Sequence, residues 1–439
     1  MLAKTLILIG FFFSSYLSKA EWETDKSAKI FYKQQYFIKD LDSTNTKSNY
    51  ATLELEPKVY LKKSSALKIN LEPYFYHKFS TVTDTESSFF DASQSYIESS
   101  KGNWRLRLGS QIHNWGVLDL YSPADVVNTS TLYDPLDPKK LGAVGLDLTW
   151  STFGKKWQLL YLPIRRPTQF PEENSRWLPR QIITGSDSND INIYLPQQLD
   201  YQYDKSIELD NAFKNNFGTK FSFTLDEWDW NIIYFYGLST LPQMEIEATV
   251  IASVLDPKNG NLVGVNVEPE VVLRPIDYLQ ETIATSLVWA PDWGIWRWET
   301  SYLKPKSKDF RVDQELLQSA LGFEKSFFIG TRSLLAQIQY FYSEQKNKRN
   351  NLSGTDFQLF DDSVVLSGVF TLNDNNSLYA SELYNFNNDS TLSAFGGLFK
   401  INDMFKLEMR ALVLNGPEES VIGTYKKNDL AEAKLHIYY

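Results

Sequence analysis

Hydrophobic and polar residues alternate with a period of two along most of this chain. Between Tyr50 and Leu61, Leu53, Leu55, Val59 and Leu61 fall on one face, and Glu54, Glu56, Lys58 and Tyr60 on the other. After a short turn at Lys62 to Ser65 the pattern returns in Ala66 to His77. Leu67, Ile69, Leu71 and Phe75 take one side, and Lys68, Asn70, Glu72, Tyr74 and Tyr76 the other. Such alternation marks a strand with one apolar face. An isolated hairpin of this kind could edge any sheet, but a long series with charges always on alternate positions predicts a polar lumen.

The unit recurs as Phe90–Ser99 with Trp104–Ile112, Gly142–Ser151 with Trp157–Ile164, and Phe213–Leu225 with Trp228–Leu238. It continues as Tyr278–Trp289 with Gly294–Leu303, Gln314–Phe327 with Thr331–Ser343, Asp362–Leu372 with Ser377–Asn387, and Thr391–Lys400 with Met404–Leu414. Asp, Asn and Gly dominate the turns because they tolerate positive φ. The connections between hairpins are longer: His113–Leu141, Arg165–Ala212, Leu241–Asp277, Lys304–Asp313 and Glu344–Asp361. Short turns alternating with long loops predict an all-β, transmembrane, antiparallel up-and-down β-barrel with periplasmic turns and extracellular loops. With Lys29–Leu41 first and Lys427–Tyr439 last, the count is about eighteen strands, within about 16–20. Two segments stay open. Val312–Glu324 also has helical spacing, and Leu241–Asp277 reads either as a further barrel hairpin or as a loop folded into or over the pore.

The chain ends refine this picture. Lys4, the apolar run Leu6 to Phe13 and Ser18-Lys19-Ala20 read as a secretory signal over residues 1–20, leaving a single barrel over 21–439. The run is too short to cross a bilayer as a helix. At the other end Ala431, Ala433, Leu435, Ile437 and Tyr439 share one face of a final strand. A terminal aromatic there resembles the signal read by outer-membrane barrel assembly machinery, which makes that machinery an expected partner through Tyr439. The expected location is the outer membrane of a Gram-negative-type cell, with membrane lipid and lipopolysaccharide as surroundings.

Composition then excludes several classes. Aromatic residues make up 15% of the chain, more than a soluble domain needs, as expected of girdles at both membrane interfaces. Cysteine is absent, which removes thiol nucleophiles, thiolate-ligated metals and a lipid-anchored cysteine. A formal charge of −10 makes nucleic acid a poor partner. His77, His113 and His436 are the only histidines, and none has a nucleophile at recognisable spacing, so an outer-membrane hydrolase is the weakest reading and no enzyme is expected. No cofactor or metal is implied.

One stretch is dense in candidate chemistry. Arg105-Leu-Arg-Leu-Gly-Ser-Gln111 leads into His113-Asn-Trp-Gly116, then Asp119, Asp125-Val-Val-Asn128 and Asp134-Pro-Leu-Asp-Pro138. Over Trp104–Asp147 this resembles the alginate-export-like outer-membrane barrels, with Thr129 where their pattern has Pro. That resemblance implies a barrel that passes or exports organic solutes or polysaccharide. Read by alternation, Arg105, Arg107 and Gln111 face the lumen while Trp104, Leu106 and Leu108 face lipid. The guanidiniums would fork onto carboxylates. Those belong to a solute, to neighbouring strands at Glu98 and Asp147, or to the loop aspartates Asp119, Asp125 and Asp134, which would draw the loop inward. Leu148, Trp150, Leu407 and Met409 join Leu106 on the expected lipid face.

Other inward charges alternate in sign: Arg297 with Glu299, Lys406 with Glu408 and Arg410, and Glu432 with Lys434 and His436. They predict a solvated, weakly selective path. Arg165 and Arg166 read as a positive vestibule or as surface charge on lipopolysaccharide phosphate. The expectation is a porin-like channel for small polar or organic solutes. Export or surface attachment of an acidic polysaccharide is the alternative.

Overall fold

The computed structural model describes residues 22–39, 49–64, 66–79, 87–171, 175–178, 200–203, 215–249, 254–255, 262–264, 270–306, 312, 315–346, 361–418 and 420–439. The expected export signal, residues 1–20, lies outside the described residues.

The repeated alternation does build one closed antiparallel barrel of 18 strands. In chain order these are β1 (Glu23–Phe37), β2 (Asn49–Ser64), β3 (Leu67–Leu71 with Tyr74–Phe79), β4 (Ser87–Asp91 with Ser95–Lys101), β5 (Trp104–Gln111) and β6 (Ala143–Thr152). Next come β7 (Lys155–Ile164), β8 (Asn216–Leu225), β9 (Trp228–Leu238), β10 (Leu279–Trp289), β11 (Ile295–Pro305) and β12 (Glu315–Ile329). The last are β13 (Arg332–Lys346), β14 (Ser363–Asn373), β15 (Asn376–Asn385), β16 (Ser390–Lys400), β17 (Phe405–Asn415) and β18 (Leu430–Tyr438). The ring closes where β18 pairs with β1, from Lys29↔Tyr438 to Phe37↔Leu430. Pro73 interrupts β3, since it brings no N–H to the ladder. Opposite it β4 breaks around Ser93, whose φ is +40°.

The barrel is inside-out relative to a soluble protein. Inward positions are polar yet buried: Thr282 and Glu299 are 0% exposed, and Asp147 is 1%. Outward positions are apolar yet open, such as Ile283 at 59%. Leu106 pairs with Leu148 and Trp104 with Trp150 across β5 and β6, while Asp147 and Thr149 between them are buried inside. Leu407 and Met409 alternate in the same sense with Glu408 and Arg410, which reach His436 and Glu432 inside. The five expected lipid-facing residues therefore share the outer face. The tight turns use left-handed backbone at Gly102, Gly154, Asp226 and Gly330. The start of β1 and the end of β18 lie at this short-turn end, where Ala28 and Tyr439 exchange backbone bonds of 2.9 Å in both directions.

Both open segments resolve. Glu315–Ile329 is a strand, not a helix. Among its described residues Leu241–Asp277 adds no strand to the barrel: Gln243–Thr249 pairs with Glu270–Ile276, which also takes Asp200–Tyr203 in parallel, making a separate three-stranded sheet. Alternation marked these as strands but carries no information about which sheet they join.

Candidate functional site

The loop between β5 and β6, residues 112–142, runs inside the barrel rather than over it. Its root is closed by one side chain. Asn128 Oδ1 accepts from His113 N at 2.7 Å, while its Nδ2 donates to Gln111 O at 3.0 Å and Leu141 O at 2.7 Å. An amide with one acceptor and two donors satisfies both ends of the loop at once.

Across the lumen Glu299 of β11 receives the loop. One carboxylate oxygen accepts from Val117 N and from Leu118 N at 3.0 Å. The other accepts from Ser122 Oγ at 2.6 Å and Ala124 N at 3.0 Å. Four donors on one ionised acceptor are charge-assisted and strong. Gly116 makes the bend fit, because a Cβ there would lie 1.6 Å from Ser122 Oγ and 3.1 Å from Glu299 Oε1.

The same loop touches most of the remaining wall. Trp115 donates from Nε1 to Gln158 of β7 at 3.1 Å, meets Phe235 of β9 edge-on, and lies over Gly218 of β8 where any Cβ would collide with it. Lys220 of β8 donates to Trp115 O at 2.8 Å. Trp115 belongs to a buried apolar cluster with Ala124, Val126, Val127, Leu160, Leu162 and Phe235. A second cluster joins Leu118 to Phe37, Ala320, Phe341, Val365, Leu383, Leu412 and Leu414 of the far wall. Trp177 and Ile422, from two other loops, pack into it. At the long-loop end the interior is thus a packed core.

Charge holds the opposite edge. Asp134 Oδ2 accepts from Lys33 Nζ at 2.8 Å and Gln35 Nε2 at 2.9 Å. Asp137 lies 3.3 Å from Lys434 and 3.7 Å from Lys33. Burial works to raise both carboxyls, but the adjoining cations outweigh it, Lys33 at Asp134 and Lys139, Lys33 and Lys434 at Asp137. Both end below the ordinary carboxylate range.

The arginine pair does face inward, but the loop aspartates are not its partners. Arg107 Nε donates to Glu98 Oε2 at 2.8 Å and the guanidinium lies over Tyr96. Arg105 donates to Thr149 Oγ1 at 3.1 Å and lies 3.8 Å from Asp147. Neighbouring strands had those carboxylates already in reach, so the loop's acids went elsewhere. Asp119 lies 3.3 Å from Gln337 Nε2 and 4.0 Å from Arg297, while Asp125 pairs with Lys140. Gln111 and His113 are buried, with both Gln111 amide atoms and His113 Nε2 lacking a hydrogen-bond partner among the described residues. Burial, with Arg107, Arg105 and Lys140 adding to it against Asp147, pulls the His113 imidazole down to about 4.

Of the sign-alternating groups, Arg297 forks onto Glu324 at 2.5 and 3.1 Å, Arg410 meets Glu432 at 3.1 Å, and Lys406 lies over the Tyr438 ring. Glu299 is a buried anchor rather than a solvated wall charge. Arg165 is neither vestibule nor surface charge: it is 1% exposed and donates to Leu238 O beside Phe235. Arg166 pairs with Asp91. Sequence reasoning passed over Lys33 and Gln35 and took Lys434 only as one of several inward charges, until the register of closure sets all three beside the loop.

No protein-family model and no curated protein matches the chain. Solved structures similar to it include a triple mutant of the Rhodopseudomonas blastica porin, 10% identical, with a TM-score of 0.42, covering 95% of this chain and 100% of that one. OpdQ of Pseudomonas aeruginosa is 9% identical, with a TM-score of 0.47 and coverage of 95% and 97%. A loop-deletion mutant of OmpT, an outer membrane protein of Vibrio cholerae, is 8% identical, with a TM-score of 0.42 and coverage of 95% and 99%. Identities this low say nothing about solute or activity.

Proposed function

We propose that the protein is an outer-membrane channel for small polar or organic solutes, with passage restricted by the 112–142 loop. One observation carries the reading: a loop pinned to Glu299 and to Lys33 crosses a polar barrel whose outer face is apolar. An apolar exterior belongs in lipid, and buried inward charge belongs around a lumen. Among the described residues the long-loop end is filled, so the resting conductance is expected to be small for a barrel of this size. The assembly machinery, reading Tyr439, and lipopolysaccharide around the outer strands are the partners this reading needs.

A second reading, export or surface attachment of an acidic polysaccharide, is favoured by Arg105, Arg107, Lys156 and Lys220. They face inward from β5, β7 and β8, and the guanidiniums of the first two keep part of their surface open. Planar-bilayer recording of the purified barrel tests the channel reading, with added oligomers of an acidic sugar separating the two. Small channel events unaffected by the oligomers are expected. A properly assembled barrel giving no events in any salt would overturn the channel reading, and sub-millimolar block by the oligomers would favour the second.

A further inference from the structure

Closing the barrel sets two lysines against each other. Lys33 of β1 is the direct partner of Lys434 of β18, and both side chains point inward and are buried. The exchange of bonds between Ala28 and Tyr439 fixes the phase of this ladder. Positions an even number of residues from Ala28 are hydrogen-bonded pairs, so Lys33↔Lys434 is a non-hydrogen-bonded pair, the kind whose side chains approach most closely. Like charges directly opposite one another destabilise a strand pair, and here water cannot screen them. The two strands bring one carboxylate of their own close by, Glu432, which is already engaged by Gln35 at 2.9 Å and Arg410 at 3.1 Å.

Glu54 of β2 approaches Lys434 only to 4.0 Å, and the closer negative charge comes from the loop. Asp134 bonds to Lys33, and Asp137 lies within 3.3 Å of Lys434 and 3.7 Å of Lys33, so it sits between the two ammonium groups. A second loop crosses the same seam higher up. Arg176 donates to Lys39 O, just after β1, at 2.7 Å and to Lys427 O, just before β18, at 2.8 Å.

We infer that the 112–142 loop is the counter-charge clasp of the barrel seam, so that docking of the loop and pairing of the first strand with the last are one coupled equilibrium. The coupling is reciprocal by thermodynamic necessity: an undocked loop leaves a seam that repels itself, and an open seam leaves Asp134 and Asp137 without half of their cations.

The chain has no cysteine, so the seam can be read by introduced thiols. Tyr32→Cys with Leu435→Cys places a thiol pair across the seam on the outer face, and Leu106→Cys with Leu148→Cys places a control pair between β5 and β6. A short bifunctional thiol reagent is applied to assembled protein in lipid vesicles, with and without Asp134→Asn plus Asp137→Asn. The seam cross-link is expected to fall by more than about half in the Asn variant, while the control pair is unchanged. Adding Lys33→Met and Lys434→Met removes the repulsion and should restore the seam, because Lys139 with Glu54 and Arg410 with Glu432 remain balanced. An unchanged seam cross-link, or a control pair that falls equally, would overturn the inference. If the Asn variant does not assemble, the same two methionine changes must restore assembly, and continued failure overturns it too.

Discussion

At β11 the lumen loop is held by one carboxylate that collects donors, three of them backbone N–H groups. At the seam it is held by side-chain charges shared among several residues. The difference is one of redundancy. Glu299 has no understudy within its contacts, and its loss leaves Val117, Leu118 and Ala124 with buried N–H groups facing nothing. At the seam, Asp137 remains near Lys33 when Asp134 is lost. Backbone donors also carry no net charge for salt to screen, whereas ion pairs weaken as salt rises.

The largest effect should therefore come from Glu299→Ala. Bonds to a charged acceptor contribute about 1.5–3 kcal/mol each, so losing these four should cost at least about 6 kcal/mol of loop docking. Single-channel conductance should rise several-fold, and residues 117–124 should become open to protease. Asp134→Asn should cost only about 1–2 kcal/mol and leave the loop protected. Equal conductance in the two variants would abolish the contrast between the poles.

A smaller effect is expected from Arg105→Ala with Arg107→Ala. Their partners Glu98 and Asp147 lie on the wall, so the loop should stay docked and protease-resistant. Unbalanced carboxylates should then shift reversal potentials toward cations. A loosened loop in this variant would mean that the wall pairs support it indirectly.

The smallest concerns acid. His113 is buried and neutral, with its imidazole pulled down to about 4. An unfolded chain takes up a proton near pH 6.5 that the folded one refuses. Stability from this group is complete above that range and falls as pH drops toward 4. The carboxyls of Asp134 and Asp137, held below their ordinary range, lose their contribution only in stronger acid. Comparing the temperature of barrel unfolding at about pH 7.5 and about pH 5 should show a drop that His113→Asn reduces. A drop of the same size in the variant would assign it to other groups.

The barrel was legible because each strand states its own face. Leu53 against Glu54, or Leu148 against Asp147, needs no knowledge of neighbours. The loop's inward course was expected from its aspartates following Arg105 and Arg107, but those acids answer Lys33, Lys140 and Arg297 instead. Its anchors were not legible. Glu299 looks the same in sequence whether it lines water or caps backbone N–H groups, and those donors leave no mark in the residue names. Lys33 and Lys434 become neighbours only through closure, which joins positions 401 residues apart in number but adjacent in the ladder. For the arginines, Glu98 and Asp147 on neighbouring strands were one of three partner sets that the sequence left open, and the ladder decides among them. Strand register put Glu98 opposite Arg107 before any loop acid could compete.

The contacts to Glu299 span 175–182 positions, and the one from Asp137 to Lys434 of β18 spans 297. Contacts that distant form slowly, because their entropy must be lost before they return anything. Synthesis adds a timetable to this. The loop leaves the ribosome long before β11, and longer still before β18, so for most of the chain's early life it has nowhere to sit. Its apolar Trp115, Val126 and Val127 must wait uncovered until the wall exists. The part that crosses the finished barrel is made early and set late, together with the closing of the ring that it spans.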